Sequence, residues 1–362
     1  NGDSVTLFGK RCRKTTDLEG HKPQNVYESD VSPVTRFLID QYINDDNVST
    51  GVKIVTFDIE VEKDEVTGYS AVSDANNRIN SIALHDHQTG ENHVIILDET
   101  LKVKPRKTDR CELHVAPSER LLLERFYSIF NTIQPHIITG WNIDFFDVPY
   151  LYNRAVKVLG RKKAVCLSPL GIVEEMYPRD EFDDRYKIAG VAALDYIELY
   201  KKFTYNEESS YALDAIAMKE LGKGKIEYDG DLNTLYNTDI NKFIEYNLVD
   251  VDLVVEMDAK LGFIDLARSI CHKGHVPYEA VYHSSKYLDG ASLTYLKRLG
   301  IVAPNKKPPI KLEIAHSQAK GESRLYVKNK ISDRVPGSGQ LRINKTKSSY
   351  FILKYQSFKE DY

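Results

Sequence analysis

The residues of this sequence best suited to chemistry are two acidic side chains at the end of an apolar segment. Residues 52–61 are apolar and β-branched enough to predict a buried strand, and the strand runs directly into Asp58 and Glu60. Side chains repeat with a period of two along a strand, so both carboxylates project from one face and can share one ion. Two like charges on a buried face are costly unless a cation neutralises them. The alternative is that the strand has already ended and that both side chains are solvated.

Two further acidic residues occupy positions where an α/β fold presents ligand-binding groups. Asp147 follows a short strand, a Gly turn and two aromatic residues, just before a helix, and this edge of a sheet is where ligands usually bind. Asp250 lies four residues after Tyr246 within a predicted helix, so the two side chains share one face. Each has a simpler interpretation, because Asp147 can act as a helix N-cap and a Tyr/Asp pair is common on helix surfaces.

The four carboxylates together predict a metal-dependent hydrolase. Hard divalent ions such as Mg²⁺ prefer carboxylate oxygens combined with water and phosphate. Two such ions about 4 Å apart can activate a water molecule and stabilise the leaving oxygen of a phosphodiester. No Ser-His-Asp or Cys-His arrangement and no G-x-x-x-x-G-K-[ST] phosphate loop in the sequence favours a different chemistry.

Around these residues the apolar pattern predicts alternating strands and helices, which is typical of an α/β protein. Ser118 is the predicted N-cap of a helix over residues 118–133. The strand at 52–61 and two that follow it suggest a β-meander. Further strands are predicted at 78–85, 93–97, 137–141 and 191–200, and further helices at 34–43, 147–158, 211–221 and 241–260. Residues 160–190 predict a charged loop, and residues 324–327 and 350–355 predict short strands of a second unit.

Composition and charge exclude several classes of protein. A chain of 362 residues predicts two domains, or one domain with a substantial appendage. No apolar run approaches the roughly 20 residues that span a bilayer, so we expect no membrane association. The net charge is −4, but residues 305–362 carry about +8 and the remainder about −12. This distribution fits an enzyme that approaches a polyanion, or a solvated basic tail. Reduced thiols in a cytoplasmic protein are expected, because no C-x-x-C spacing occurs among Cys12, Cys111, Cys166 and Cys271.

Three segments resemble the exonuclease motifs of family B DNA polymerases. They are Phe-Asp-Ile-Glu-Val at 57–61, Gly-Trp-Asn-Ile-Asp-Phe-Phe-Asp-Val-Pro-Tyr at 140–150 and Tyr-Asn-Leu-Val-Asp at 246–250. Residues 194–203 and 223–230 are similar to the T-even-like bacteriophage members in particular. The resemblance covers roughly residues 50–305.

The resemblance implies an α/β fold that contains a ribonuclease H-like exonuclease domain, with a mixed sheet flanked by helices. This domain would occupy residues 51–270 and remove misincorporated 3′ nucleotides. Residues 1–50 would be part of a smaller N-terminal-type α+β domain. Residues 271–362 would return to that domain and lead into a missing polymerase domain, since the sequence ends before any segment typical of a polymerase site. Residues 171–190 would correspond to the hairpin that helps separate primer from template.

The resemblance also implies a metal centre of two Mg²⁺ or Mn²⁺ ions. Asp58 would bridge both ions. Glu60 and Asp250 would complete the first ion, and Asp147 would hold the second through water or directly.

Three further residues would position the attacking water and the primer end. By the same resemblance, Tyr246 would orient the attacking water, and Asn142 and Phe146 would line the single-stranded primer end. The expected partners are single-stranded DNA 3′ ends and primer-template DNA, together with a sliding clamp and other replisome proteins bound through the missing portion. The expected location is the cytoplasm of an infected bacterial host. A free-standing exonuclease acting on RNA and a catalytically silent primer-template binding module stay open as alternatives.

Overall fold

The computed structural model describes residues 4–15, 25–64, 66, 68–176, 185–306, 327, 339–344 and 350–355. The described helices are α1 (Pro33–Tyr42), α2 (Glu119–Ile133), α3 (Asp147–Leu159), α4 (Arg161–Ala164), α5 (Tyr196–Phe203), α6 (Leu213–Leu221), α7 (Leu232–Thr238), α8 (Ile240–Leu261), α9 (Phe263–Gly274) and α10 (Ser284–Arg298), with 3-10 turns at Val165–Leu167 and Tyr278–Tyr282. The strands are β1 (Ser4–Thr6), β2 (Arg11–Cys12), β3 (Ile54–Val61), β4 (Ile79–Asp86), β5 (Glu91–Leu97), β6 (Arg106–Lys107), β7 (Glu112–Ala116), β8 (Ile137–Gly140), β9 (Val173–Glu175), β10 (Tyr186–Ile188), β11 (Ala192–Asp195), β12 (Ile301–Val302), β13 (Gly339–Asn344) and β14 (Tyr350–Tyr355).

The chain divides into two compact units. The larger comprises Val31–Pro178 and Phe182–Ile301, and the smaller comprises Asn1–Asp30, Arg179–Glu181 and Val302–Tyr362. In the larger unit α1 packs on α10, with an ion pair between Lys297 and Asp40. The assignment of residues 1–50, 51–270 and 271–362 to functional domains stays a prediction.

A mixed seven-stranded sheet organises the larger unit. Its strand order is β11-β8-β3-β4-β5-β7-β6. The pairs β3–β4, β4–β5 and β6–β7 are antiparallel, whereas β3–β8, β8–β11 and β5–β7 are parallel. Helices α2 and α3 pack on one face through a core that includes Phe57, Ile59 and Phe126. Helices α7 and α8 pack on the other face through a core that includes Ala83 and Val251. The predicted mixed sheet flanked by helices is confirmed.

Most of the predicted helices and strands occur where the apolar pattern indicates them. The helix at 118–133 is confirmed as α2, and the Ser118 side chain accepts a hydrogen bond from the Leu121 N–H. The helices predicted at 34–43, 147–158, 211–221 and 241–260 are confirmed as α1, α3, α6 and α8, and the β-meander as β3, β4 and β5.

Two of the predicted segments are wrong in part. The strand predicted at 191–200 ends at Asp195, where the side chain caps α5 by accepting a hydrogen bond from the Ile197 N–H. The loop predicted at 160–190 contains α4, a 3-10 turn and the antiparallel pair β9–β10. Its apolar residues Leu167, Val173 and Ile188 are buried in the core, which explains why the described parts of this segment, 160–176 and 185–190, form regular structure.

The described residues also form a three-stranded sheet of order β12-β1-β2 and the antiparallel pair β13–β14. The strand predicted at 350–355 is confirmed as β14, but of the strand predicted at 324–327 only Val327 lies within the described residues. Segments far apart in the chain meet here, since Tyr27 bridges Pro304 and the Ser29 N–H donates to Asn305 Oδ1 over 2.9 Å. Across the part of the chain that the structure describes, every helix is too short or too polar to cross a bilayer.

Candidate metal centre

Strand β3 presents Asp58 and Glu60 on the face of the sheet that α8 covers. Phe57 and Ile59 alternate with them and point into the opposite core, against α2 and α3. The alternation follows from the period of two along a strand, so the apolar residues anchor β3 and thereby aim both carboxylates at α8. A β-bulge follows Glu60, where the register with β4 shifts before Val61. The solvated alternative does not hold for Glu60, which is only 9% exposed, and Asp58 beside it is half-buried.

Three carboxylates converge at this face. Asp58, Glu60 and Asp250 each offer one oxygen, and the three oxygens lie within 4.8 Å of one another. Asp250 reaches the group from α8 and is buried, and its Oδ1 has no hydrogen-bond partner. A buried, unpartnered carboxylate oxygen aimed among two other carboxylates is costly in a protein interior. A divalent cation therefore fits this donor set.

Asp147 lies beside this group but belongs to a separate position. It is the first residue of α3, and its Oδ1 accepts a hydrogen bond of 3.0 Å from the N–H of Ile59, the residue between Asp58 and Glu60. It is buried, with 2% of its surface exposed. The backbone bond fixes Asp147 next to the strand, although this carboxylate is outside the three-residue group.

The electrostatics of the four carboxylates show why a cation is favoured. Burial raises the pKa of Asp58 well above its ordinary value, and the charges of Asp147, Glu60 and Asp250 raise it further. Burial, followed by the charge of Asp250, raises the pKa of Glu60 to about 8, and burial raises the pKa of Asp147 to about 7. The pKa of Asp250 is also raised by burial, against the opposing effect of Lys225. Bound positive charge would relieve the same desolvation and repulsion.

Helix α8 brings three side chains to the site within little more than one turn. The spacing of Tyr246 and Asp250 places both on one face, as predicted. Asn247 also reaches the site, because its Nδ2 donates to Asp58 Oδ2 over 2.8 Å. The Asn247 Oδ1 accepts a hydrogen bond of 2.7 Å from Ser81 Oγ on β4. Asn247 therefore fixes the Asp58 carboxylate from the side of the helix.

Lys225 is the cation that lies closest to these groups in the described residues. Its Nζ donates to Asp250 Oδ2 over 2.5 Å and to the Tyr246 hydroxyl over 3.1 Å. Lys225 lies in the segment before α7, whereas Tyr246 and Asp250 lie on α8. Lys225 therefore links these two parts of the site. Sequence reasoning assigned no role to Lys225, Asn247 or Ser81. The only signal was position, since Asn247 lies inside the third motif and Lys225 inside the segment 223–230.

Asn142 and Phe146 lie in the turn between β8 and α3. Asn142 is exposed and adopts a left-handed conformation, with φ of 70°, and its N–H donates to Asp195 Oδ1 over 3.0 Å. Phe146 is half-buried, and its ring lies 5.6 Å from that of Tyr150. The turn thus presents both residues immediately before Asp147, while the exposed ring of Phe145 lies beneath the Arg185 guanidinium.

Comparison with known proteins shows similarity to DNA polymerases. Residues 43–216 match the family described as DNA polymerase family B, exonuclease domain. The DNA-directed DNA polymerase of Enterobacteria phage T4 is 36% identical over 199 residues, which are 54% of this chain and 22% of that protein.

Two further relatives extend the similarity. The DNA-directed DNA polymerase of Escherichia phage RB69 is 30% identical over 281 residues, which are 70% of this chain and 31% of that protein. DNA polymerase 1 of Sulfurisphaera ohwakuensis is 28% identical over 269 residues, covering 70% of this chain and 28% of that protein. The chain therefore spans less than a third of the length of these relatives.

Proposed function

We propose that this chain, whose residues 43–216 belong to the exonuclease domain of DNA polymerase family B, is the 3′→5′ proofreading exonuclease portion of a phage-type polymerase. The proposal rests on one observation, the convergence of Asp58, Glu60 and Asp250 on one buried point with Asp147 beside it. The resemblance of the three motifs to those of ribonuclease H-like exonucleases supports the same function. The substrate would be the 3′ end of single-stranded or frayed DNA.

The carboxylates would hold two divalent ions, Mg²⁺ or Mn²⁺. Asp58 would contact both ions, Glu60 and Asp250 would hold one, and Asp147 would hold the other. When bound, such ions supply an activated water and stabilise the charge on the leaving oxygen of a phosphodiester. Hard divalent ions suit these ligands, because all four are carboxylates and none is sulfur or imidazole.

The protein's own groups would place the water and the scissile phosphate. The Tyr246 hydroxyl accepts a hydrogen bond of 3.1 Å from Lys225 Nζ, which also donates to Asp250 Oδ2. This position suits a group that orients a water for attack on phosphorus. Attack forms a P–O bond to the water oxygen and breaks the bond between phosphorus and the 3′ oxygen of the preceding nucleotide. The products are a nucleoside 5′-monophosphate and a new 3′-hydroxyl, which takes up one proton.

Asn142 and Phe146 would hold the terminal nucleotide. Asn142 is exposed and can donate and accept hydrogen bonds, and Phe146 offers part of an aromatic face. Stacking of a base on an aromatic ring is worth about 1–3 kcal/mol. A frayed 3′ end gains this stacking more readily than a paired end, since a paired base is already stacked in its duplex.

Degradation of a labelled single-stranded DNA by the double variant Asp58→Ala, Glu60→Ala tests the proposal. We expect loss of the Mg²⁺-dependent release of nucleoside monophosphates. The matched control is Glu99→Ala with Asp265→Ala, which removes two exposed carboxylates and should leave the rate unchanged. Near-normal degradation by the Asp58, Glu60 variant would overturn the proposal. Parallel reactions on DNA and RNA of one sequence test whether DNA is the preferred substrate.

A further inference from the structure

A second group of ligand-type side chains lies on the opposite face of the large sheet. His93 on β5 and Glu112 and His114 on β7 each offer one ligand atom, and these atoms lie within 4.8 Å of one another. His93 pairs in register with Glu112, and Ile95 pairs with His114. Because Ile95 packs into the core beneath α2 and α3, the group faces α2, whereas Asp58 and Glu60 project from β3 toward α8. The two groups are therefore separate sites.

The separation of the two imidazoles is the distance expected for ligands of one metal. His93 Nδ1 and His114 Nε2 lie 3.3 Å apart. Two nitrogens bound about 2.0–2.1 Å from one tetrahedral zinc ion lie about 3.3–3.4 Å from each other. Two protonated nitrogens could not approach so closely, so at least one of them presents a lone pair. The two rings are stacked, with centroids 5.5 Å apart and an angle of 22° between their planes.

Glu112 supplies an oxygen ligand at the same point. Its Oε2 lies 3.9 Å from His93 Nδ1, and its Oε1 lies 3.8 Å from His114 Nε2. The carboxylate thus faces both imidazoles, and a shift of about half an ångström would bring either oxygen to the spacing of tetrahedral ligands. Lys107 Nζ approaches Glu112 Oε2 only to 3.5 Å, and it lies closer to Glu91, at 2.9 Å. The Glu112 side chain is about a third exposed, so it has room to make this shift.

The surroundings leave access to a fourth ligand position. His114 lines a groove of about 290 Å³ between β7 and α2, together with Glu124, Arg125 and Ser128. Sites with three protein ligands keep their fourth position for water or a small ligand. Imidazole favours zinc and its neighbours in the first transition row over Mg²⁺, which prefers an all-oxygen shell.

We propose that His93, His114 and Glu112 bind one tetrahedral transition-metal dication of the zinc type, distinct from the ions of the carboxylate site. The ion joins β5 to β7 at the end of the sheet where β6 is the edge strand. The ion links two strands and contacts none of the hydrolytic residues, so its role is structural, and its imidazole ligands differ from the all-carboxylate ligands of the other site.

Titration of the metal-stripped protein with Co²⁺ in excess Mg²⁺ tests this site. Mg²⁺ occupies the carboxylates, and tetrahedral Co²⁺ bound to imidazole gives an intense visible absorption that octahedral Co²⁺ does not give. We expect one Co²⁺ per chain with this absorption, displaced by Zn²⁺. His93→Gln and His114→Gln should each weaken binding by at least about tenfold, a loss that removal of even an indirect metal contact can cause.

Two control variants distinguish Co²⁺ binding at this site from Co²⁺ binding elsewhere on the protein. His85→Gln removes an imidazole from the opposite face of the same sheet, where His85 Nδ1 contacts Asn92 Oδ1, and should bind Co²⁺ as the wild type does. The double variant Asp58→Ala, Glu60→Ala should also keep the absorption. Absence of a tetrahedral band, its persistence in both His93→Gln and His114→Gln, or its loss only in the Asp58, Glu60 variant would overturn the proposal.

X-ray absorption of the zinc-loaded wild type tests the proposal without any variant, in case the histidine variants fold poorly. We expect a first shell of nitrogen and oxygen at about 2.0–2.1 Å, with the outer-shell scattering of two imidazole rings. An oxygen-only shell would contradict the site. Circular dichroism of the metal-free variants serves as the check that each is folded.

Discussion

At the residue scale, the carboxylates of the candidate metal centre differ in what holds them. Asp147 is fixed by the backbone of Ile59, and Asp58 is fixed by Asn247. Asp250 is held by Lys225 through one oxygen and is unpartnered at the other. Removal of a group that orients a metal ligand typically lowers metal affinity or activity by about 10- to 100-fold. Asn247 and Lys225 are therefore the residues with which to test the site without removing a carboxylate.

Asn247→Ala should lower the affinity for Mg²⁺ and the rate of DNA degradation by roughly 10- to 100-fold, the range typical for loss of an outer-shell partner. Asp58 would lose the donor that orients it, and Ser81 would lose its acceptor. The measurement is the degradation rate as a function of Mg²⁺ concentration. Ser81→Ala is the control, since it leaves the bond from Asn247 to Asp58 intact and should have a smaller effect. Equal effects of the two changes would contradict the role given to Asn247.

Lys225→Met should lower the free energy of unfolding of the metal-free protein by about 1–3 kcal/mol, because a buried carboxylate loses its donor. Lys223→Met is the matched control, two residues away. Its Nζ pairs with Glu256 at the surface, and an exposed pair is worth about 0–1 kcal/mol. Chemical denaturation with and without Mg²⁺ measures the unfolding free energy of both variants. Mg²⁺ should reduce the difference in unfolding free energy between the wild type and Lys225→Met. Indistinguishable stabilities of the two metal-free variants would argue against this role of Lys225.

The residues that sequence reasoning could identify are those whose type is unusual for their local environment. Asp58 and Glu60 interrupt an apolar strand, and the period of two correctly predicts that they share a face. Lys225 and Asn247 are polar residues in polar or mixed segments, so nothing local distinguishes them. Their roles depend on contacts that join positions 21 to 189 residues apart, which only the folded chain shows.

At the scale of elements, β3 and β8 approach each other closely beside the site. A Cβ added to Gly140 at the end of β8 would lie 2.3 Å from Ile143 Cγ2 and 2.5 Å from the backbone oxygen of Phe57. The neighbour on β3 is backbone and cannot turn aside as a flexible side chain can. The residue after Phe57 is Asp58, so the packing of these strands determines where that carboxylate lies.

Gly140→Ala should therefore destabilise the protein by about 1–3 kcal/mol, the usual cost of overpacking, and should also lower DNA degradation. Thermal unfolding and the degradation rate measure the two effects. Gly222→Ala is the control, because an added Cβ there meets nothing within 4 Å and only the left-handed backbone, with φ of 73°, is strained. That variant should lose stability without a comparable loss of activity. Full activity of Gly140→Ala would show that β3 tolerates the displacement.

One segment that the apolar pattern mispredicted is determined by a capping side chain and by tertiary packing. Residues 191–200 contain Tyr196, Ile197 and Tyr200, whose aromatic and β-branched side chains favour a strand. Asp195 instead caps a helix at this point, and Tyr196 and Tyr200 are buried against Phe263 on α9. Tertiary packing thus overrides the local preference. Helices α2 and α8 were predictable because each carries a long apolar stripe and has a capping side chain at its start.

At the scale of the whole molecule, His87 is expected to make folding stability depend on pH. Its Nε2 lies 2.8 Å from the hydroxyl of the buried Thr56, and burial, aided by the charge of His85, lowers the pKa of His87 to about 4. Between an unfolded pKa of about 6.5 and this value, the unfolded chain binds more protons than the folded chain. This contribution to stability is therefore complete above about pH 6.5 and is lost as the pH falls towards 4.

His87→Gln tests the dependence, because glutamine can still hydrogen-bond to Thr56 but cannot gain a proton in this range. Chemical denaturation of both proteins from pH 7 to pH 4 gives the difference in unfolding free energy. We expect the wild type to lose stability relative to the variant as the pH falls. A constant difference across the range would mean that His87 does not become protonated on unfolding.

The sequence shows how charge is distributed along the chain, but only the fold shows which of the acidic residues come together. The acidic remainder includes the carboxylates of the site, which the fold brings together from β3, α3 and α8. The basic segment 305–362 lies largely outside the described residues, so its predicted contact with a polyanion stays a prediction. The division into two compact units agrees with what chain length alone suggested.

The order of the site along the chain has a consequence for protein synthesis. Asp58, Glu60 and Asp147 leave the ribosome first, and α8, with Tyr246, Asn247 and Asp250, follows about a hundred residues later. Until α8 has docked, Asp58 lacks its Asn247 donor and the three-carboxylate group is incomplete. The proposed nuclease activity would therefore begin only after this helix has emerged and docked.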